Sequence, residues 1–103
     1  MDECLDYIRS NIEFASLYEQ LAEECAELAQ AAIKASRHLR GDNPTSRTWA
    51  EIHQMLREEY TDVLVCCRAL GLYEPLNSVF VKPSAKAKVQ RWKERLENKN
   101  EQS

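Results

Sequence analysis

Two stretches of this chain carry the same run of carboxylates at the same spacing. Leu21-Ala22-Glu23-Glu24-Cys25-Ala26-Glu27-Leu28 and Leu56-Arg57-Glu58-Glu59-Tyr60-Thr61-Asp62-Val63 both fit the pattern L-x-E-E-x-x-[ED]-[LV]. Within each copy the second and third acids stand three residues apart, so on a helix they occupy neighbouring turns of one face. Glu24 with Glu27, and Glu59 with Asp62, are thus two pairs of candidate oxygen ligands. Carboxylates with no histidine or thiol among them suit a hard cation, Mg²⁺ or Mn²⁺, rather than zinc. A carboxylate-bridged di-iron site would want Glu-x-x-His, and neither copy has a histidine at the fourth position. Iron is the lesser alternative.

Position in the hydrophobic pattern separates these acids from an ordinary solvated face. Around the first copy the apolar seam runs Leu17, Leu21, Glu24, Leu28, Ala31; around the second it runs Ile52, Leu56, Glu59, Val63, Cys66, Leu70. Steps of four and three alternate in both, which is the spacing of one buried helical face. Glu24 and Glu59 therefore stand where a leucine is expected. A lone carboxylate there is costly and protonates unless a partner holds its charge. Two helices with the same anomaly point to a shared partner, and a bound cation is the economical one. Glu23 and Glu58 fall off the seam and read as solvated, since 17 of the 103 residues are acidic.

A cation held by few carboxylates keeps positions open for water and phosphate oxygens. Paired ions can activate a water and neutralise charge on an attacked phosphorus. The late segment complements this chemistry: Lys86, Lys88, Arg91, Lys93 and Arg95 surround Trp92, with Lys88 and Arg91 on one face. Lys34 and Arg37 add charge after the first motif. The same segment reads equally well as a solvated amphipathic helix whose stripe of Val89, Trp92 and Leu96 packs on a core.

The elements that must position these groups are helical. A first helical region is expected from Asp2 to Leu39, with a break near Phe14 to Ser16 if Ser16 and Glu19 form a capping box. Gly41 closes it, and Asp42-Asn43-Pro44-Thr45 supplies turn chemistry. Thr48 with Glu51 opens a second motif helix that runs to Leu70, where Gly71 stops it. Pro75 is expected to begin a short helix through Val81. Pro83-Ser84 reads as a stop followed by an N-cap, with a last helix from Ala85 to Glu97 and a polar tail from Asn98. A loop of about eight residues folds the motif helices antiparallel, so that the acidic pairs face each other at mid-helix.

Length and composition agree with that plan. A chain of 103 residues with two glycines and three prolines suggests one domain, residues 1–103, and an all-α fold. The expected architecture is an antiparallel helical hairpin bundle of about four helices, with a core small enough that a second copy would help complete it. Net charge is −3, which argues against a nucleic-acid partner. No stretch approaches the roughly 20 apolar residues of a membrane span, and Met1-Asp2-Glu3-Cys4-Leu5-Asp6 lacks the pattern of a signal peptide. A cytoplasmic location is the default. Cys4, Cys25, Cys66 and Cys67 make no C-x-x-C pair; Cys66 and Cys67 could form a vicinal disulfide but read as small reduced residues. His38 and His53 read as surface or loop-proximal.

The motifs Glu23-Glu24-Cys25-Ala26-Glu27 and Glu59-Tyr60-Thr61-Asp62 resemble those of the MazG-like, all-α nucleoside triphosphate pyrophosphatase superfamily. The wider stretch from Leu21 to Lys34, the segment Asp62-Val63-Leu64, the loop Gly41-Asp42-Asn43-Pro44-Thr45 and Lys88-Val89-Gln90-Arg91-Trp92 look like short phage-type and bacterial members. The resemblance implies Mg²⁺-dependent hydrolysis of a nucleoside triphosphate to a monophosphate and pyrophosphate. It implies that Glu24, Glu27, Glu59 and Asp62 hold the metal, with Mn²⁺ as a possible substitute. Glu23 and Glu24 would be the catalytic acids, Glu23 holding a water or acting as its base. Lys88 and Arg91, with Lys34, would meet the phosphates. Asn43 and Trp92, like Trp49, are candidates for contact with the base. Family members are homodimers or dimers of dimers. Two other classes stay open: a non-catalytic helical interaction module, and a family member that binds nucleotides without cleaving them.

Overall fold

A computed structural model describes residues 2–42, 46–72 and 76–102. Every described element is an α-helix: α1 (Asp2–Asn11), α2 (Phe14–Arg40), α3 (Trp49–Ala69), α4 (Leu76–Val81) and α5 (Pro83–Gln102). The fold is all-α. The chain falls into two compact units, Met1–Tyr73 and Glu74–Ser103. No described helix is long and apolar enough to cross a membrane.

In the first unit the expected break is real but lies one turn early. Helix α2 begins at Phe14, with Glu13 as N-cap and no side-chain hydrogen bond to it. The Ser16 N–H donates to the Glu13 carbonyl at 2.9 Å, so Ser16 sits inside the first turn and caps nothing. The Phe14 and Tyr18 rings meet edge to face at 5.4 Å, an i,i+4 contact that favours helix from Phe14 onward. At the far end Gly41 takes φ 72°, a conformation that costs residues with a β-carbon roughly 1–2 kcal/mol. Its N–H donates to His38 O at 3.2 Å and that of Asp42 to Arg37 O at 3.1 Å, the paired bonds of a glycine stop.

Helix α3 opens as its sequence indicates: the Glu51 N–H donates to Thr48 Oγ1 at 3.2 Å. It closes at Ala69, where Gly71 (φ 76°) and Leu72 donate to Arg68 O and Cys67 O. Helices α2 and α3 form an antiparallel hairpin. Leu17, Ala35, Ile52, Ala69 and Leu70 are buried in the first unit, and Leu21, Leu28, Ala31, Leu56, Val63 and Cys66 are half-buried along both seams.

Helix α1 is fastened to the end of α3. The Arg9 guanidinium donates through Nε to Ala69 O (2.9 Å) and through Nη2 to Arg68 O (2.8 Å), while Nη1 meets Asp6 Oδ1 at 3.2 Å. A helix C-terminus offers unpaired carbonyls and the negative end of its dipole, both of which favour a cation. Arg9→Ala should therefore destabilise the unit by roughly 1 kcal/mol, lowering Tm by about 4–8 °C. Thermal circular dichroism checks this, and an unchanged Tm would remove the clamp from the account.

In the second unit Pro83 is the first helical residue rather than a stop. The first turn of a helix does not need the missing proline N–H, and φ is already suitable. Helix α5 then runs to Gln102 instead of ending at Glu97. Polar i,i+4 pairs support its length: Lys93 to Glu97 at 3.6 Å and Gln90 to Glu94 at 3.2 Å. Val89, Trp92 and Leu96 are exposed along it. All four cysteines are free thiols, so Cys66 and Cys67 form no vicinal disulfide.

Candidate metal centre

The two anomalous seam positions meet across the hairpin. Glu24 and Glu27 from α2 and Glu59 from α3 each offer a carboxylate oxygen, and the three oxygens lie within 4.8 Å of one another. Glu24 and Glu59 are half-buried and Glu27 is exposed. One oxygen of each seam acid, Glu24 Oε2 and Glu59 Oε2, is shielded from solvent with no hydrogen-bond partner. The other oxygen of Glu24 accepts a bond from Gln20 Nε2 at 2.9 Å. A shielded, unpaired carboxylate oxygen loses hydration and gains nothing in return. A divalent cation would answer that loss, and a donor set of carboxylate oxygens suits a hard one. The residues present therefore fit the cation that the sequence pattern suggests.

Electrostatics at Glu24 follows from the same geometry. Burial, first, and then the Glu27 charge push its carboxyl above the usual carboxylate range; the Gln20 bond opposes the shift, and Asp62 adds to it. Burial likewise raises the Cys66 thiol, with Glu24 the next contributor. The sign for stability is definite. A carboxyl whose folded pKa is raised binds its proton more tightly in the folded state, so stability increases as pH falls through the window above the ordinary carboxylate range. In EDTA, the melting temperature should rise from neutral toward mildly acidic pH. Glu24→Gln should flatten that rise; an unaltered slope in the variant would assign it to other acids.

Two clefts flank the acidic trio. One, of about 300 Å³, is lined by Glu27 and Glu59 together with Lys34, His38 and Arg47. The other, of about 450 Å³, places Glu24 and Asp62 beside Leu5, Leu17 and Cys66. Asp62 is thus a neighbour of Glu24, on the other side from Glu27's cleft. Glu23 is exposed on α2. Lys34 lines the first cleft. Lys88, Arg91 and Trp92 are exposed on α5 of the second unit, and Asn43 lies outside the described residues.

Three residues at the site escape a reading of the sequence alone. Gln20 is one turn before Glu24, and the i,i+4 spacing was available as a signal. His38 extends the face of Glu27, Ala31 and Lys34; it is half-buried and stacks on Trp49 at 6.0 Å and 21°. Arg47 reaches the cleft from the segment before α3, where no periodicity marks it. No protein-family description, curated protein or solved structure matches this chain significantly.

Proposed function

We propose that this chain is a Mg²⁺-dependent nucleoside triphosphate pyrophosphohydrolase of the MazG-like all-α type, converting an NTP or dNTP and water to a monophosphate and pyrophosphate. The observation that carries the reading is the pair of shielded, unpartnered oxygens on Glu24 and Glu59, meeting Glu27 from two helices. Glu24, Glu27 and Glu59, with Asp62, would hold Mg²⁺ (or Mn²⁺). When bound, that ion supplies charge neutralisation for phosphate oxygens and lowers the pKa of water. Glu23 orients the attacking water or takes its proton. Lys34 lines the cleft beside the trio and would meet the phosphates; Lys88 and Arg91 as phosphate contacts, and Asn43 and Trp92 as base contacts, rest on the family resemblance alone.

The enzyme would act in the cytoplasm on nucleotide pools. It would do so as a homodimer or dimer of dimers, which would cover apolar side chains now exposed, such as Phe14 and Tyr18. A second reading, a helical interaction module, is favoured by one observation: the exposed stripe of Val89, Trp92 and Leu96 on α5. The deciding experiment is pyrophosphate release from canonical and modified NTPs and dNTPs, with Mg²⁺ and with EDTA. Mg²⁺-dependent pyrophosphate without free phosphate is the expected result. A folded, Mg²⁺-binding protein that releases none from any nucleotide would favour the binding or interaction reading.

A further inference from the structure

The charges of α5 are sorted by face. Ala85, Val89, Trp92 and Leu96 recur in steps of four, three and four, the seam of a helix that packs along another helix. Val89, Trp92 and Leu96 are 59%, 66% and 54% exposed, so the second unit leaves that seam open. Lys86 and Lys93 directly follow seam residues, and Lys88 and Arg95 directly precede them. Every edge position of the seam from 86 to 95 is therefore a cation. The acids Glu94, Glu97 and Glu101 fall outside the seam and its edges. All four edge cations are exposed. Lys93 reaches back to Glu97 at 3.6 Å; among the described residues no ion pair engages Lys86, Lys88 or Arg95.

Edge charges choose the partner of such a seam. Two α5 helices laid together would set cation against cation along both edges, whichever way they run, and like charges at facing positions repel. Helix α5 is thus ill-suited to pair with itself. A helix with leucine-type residues in its seam and Glu or Asp on both edges meets each of these cations with a carboxylate. A flat anionic bilayer is a poorer match. A helix lying in a bilayer surface buries a broad apolar face, whereas the stripe on α5 is only about 60° wide, narrower than the roughly 100° of an ordinary amphipathic helix.

We propose that α5 is a docking helix for a partner helix whose apolar seam is edged by carboxylates. Val89, Trp92 and Leu96 supply the contact surface, with Trp92 as its anchor, and Lys86, Lys88, Lys93 and Arg95 select the partner. The proposal goes beyond the pyrophosphohydrolase reading and does not need it. It puts Lys88 and Trp92 to a use other than the nucleotide contacts that the family resemblance implies. The seam from Ala85 to Leu96 is only about 17 Å long, so the edge charges carry a large share of the attraction, and salt screens that share.

Fluorescence anisotropy tests it, with the full chain titrated into two labelled three-heptad peptides. The peptides share one leucine seam and carry either Glu or Lys at every edge position. The Glu-edged peptide should bind at least roughly tenfold more tightly than the Lys-edged one, and high salt should narrow the gap. Trp92→Ala and Leu96→Ala should each weaken binding roughly tenfold, while Glu94→Gln, on the outer face, should change nothing. The double variant Lys88→Glu, Arg95→Glu should reverse the preference and take up the Lys-edged peptide, a gain that a misfolded helix does not give. Equal affinity for the two peptides, or an unreversed preference in the double variant, would overturn the proposal. Binding to phosphatidylserine vesicles that Trp92→Ala abolishes, in a chain that ignores both peptides, would overturn it in favour of a membrane surface. Sedimentation of the full chain covers the remaining occupant: self-association that Trp92→Ala abolishes and the Glu-edged peptide fails to displace would give the seam to a second copy instead.

Discussion

Glu24→Gln or Glu59→Gln is expected to abolish Mg²⁺-dependent pyrophosphate release, a loss on the order of 10³-fold, while the metal-free variant melts no lower than the parent. The two halves of that result come from one cause. Each seam acid holds a shielded oxygen with no donor in the protein, and beside it stand other carboxylates. Replacing the charge with a neutral amide of the same shape removes repulsion that the empty site must bear, so the fold does not suffer. It also removes a carboxylate that would hold the proposed cation. Glu27→Gln should cost less, because Glu27 is exposed and its place can be taken by water. Turnover and thermal melting on the same preparations check both halves. Full activity in either seam variant would mean that the metal assignment is wrong.

Mg²⁺ alone should raise the melting temperature substantially. A ligand bound only by the folded state contributes about 2.7 kcal/mol at a hundredfold excess over its Kd. In a unit of this size that corresponds to a shift on the order of 10 °C. Sodium chloride at matched ionic strength should give much less, because screening weakens repulsion among the carboxylates without coordinating the shielded oxygens. A helical interaction module would melt at nearly the same temperature with and without Mg²⁺. A member that binds nucleotides and does not cleave them would show the stabilisation and no turnover.

The hairpin and its acidic centre were legible because their determinants are local or periodic. Leu17, Leu21, Leu28, Ile52, Leu56 and Val63 mark one face on each helix, and Glu24 and Glu59 stand out only against that background. Thr48, Gly41 and Gly71 place helix ends through bonds within a single turn. Where two local signals competed, the sequence was ambiguous. Ser16 has the chemistry of a cap, yet the Phe14–Tyr18 contact carries the helix past it. Pro83 can end one helix or begin the next, and here it begins α5. Helix α5 extends beyond Glu97 through Asn98 to Gln102, a polar run that leaves no apolar period to read. Arg47 could not be assigned from spacing, because what brings it to Glu27 is the closing of the α2–α3 hairpin; His38 shares the α2 face of Glu27, but its stack on Trp49 needs that closing too.

That closing has a kinetic consequence. Glu24, Glu27 and Glu59 lie on two consecutive helices joined through residues 41–48, and Glu59 stands 32 and 35 residues from Glu27 and Glu24, so the centre forms only when the hairpin closes. The like charges come together in the same event that joins the helices. Their repulsion is then felt on the way in, slowing hairpin formation, more than on the way out. Whatever neutralises them, protons or a divalent cation, should quicken the folding limb of a chevron plot, so that the ionic conditions around a newly made chain govern how soon it becomes a working one.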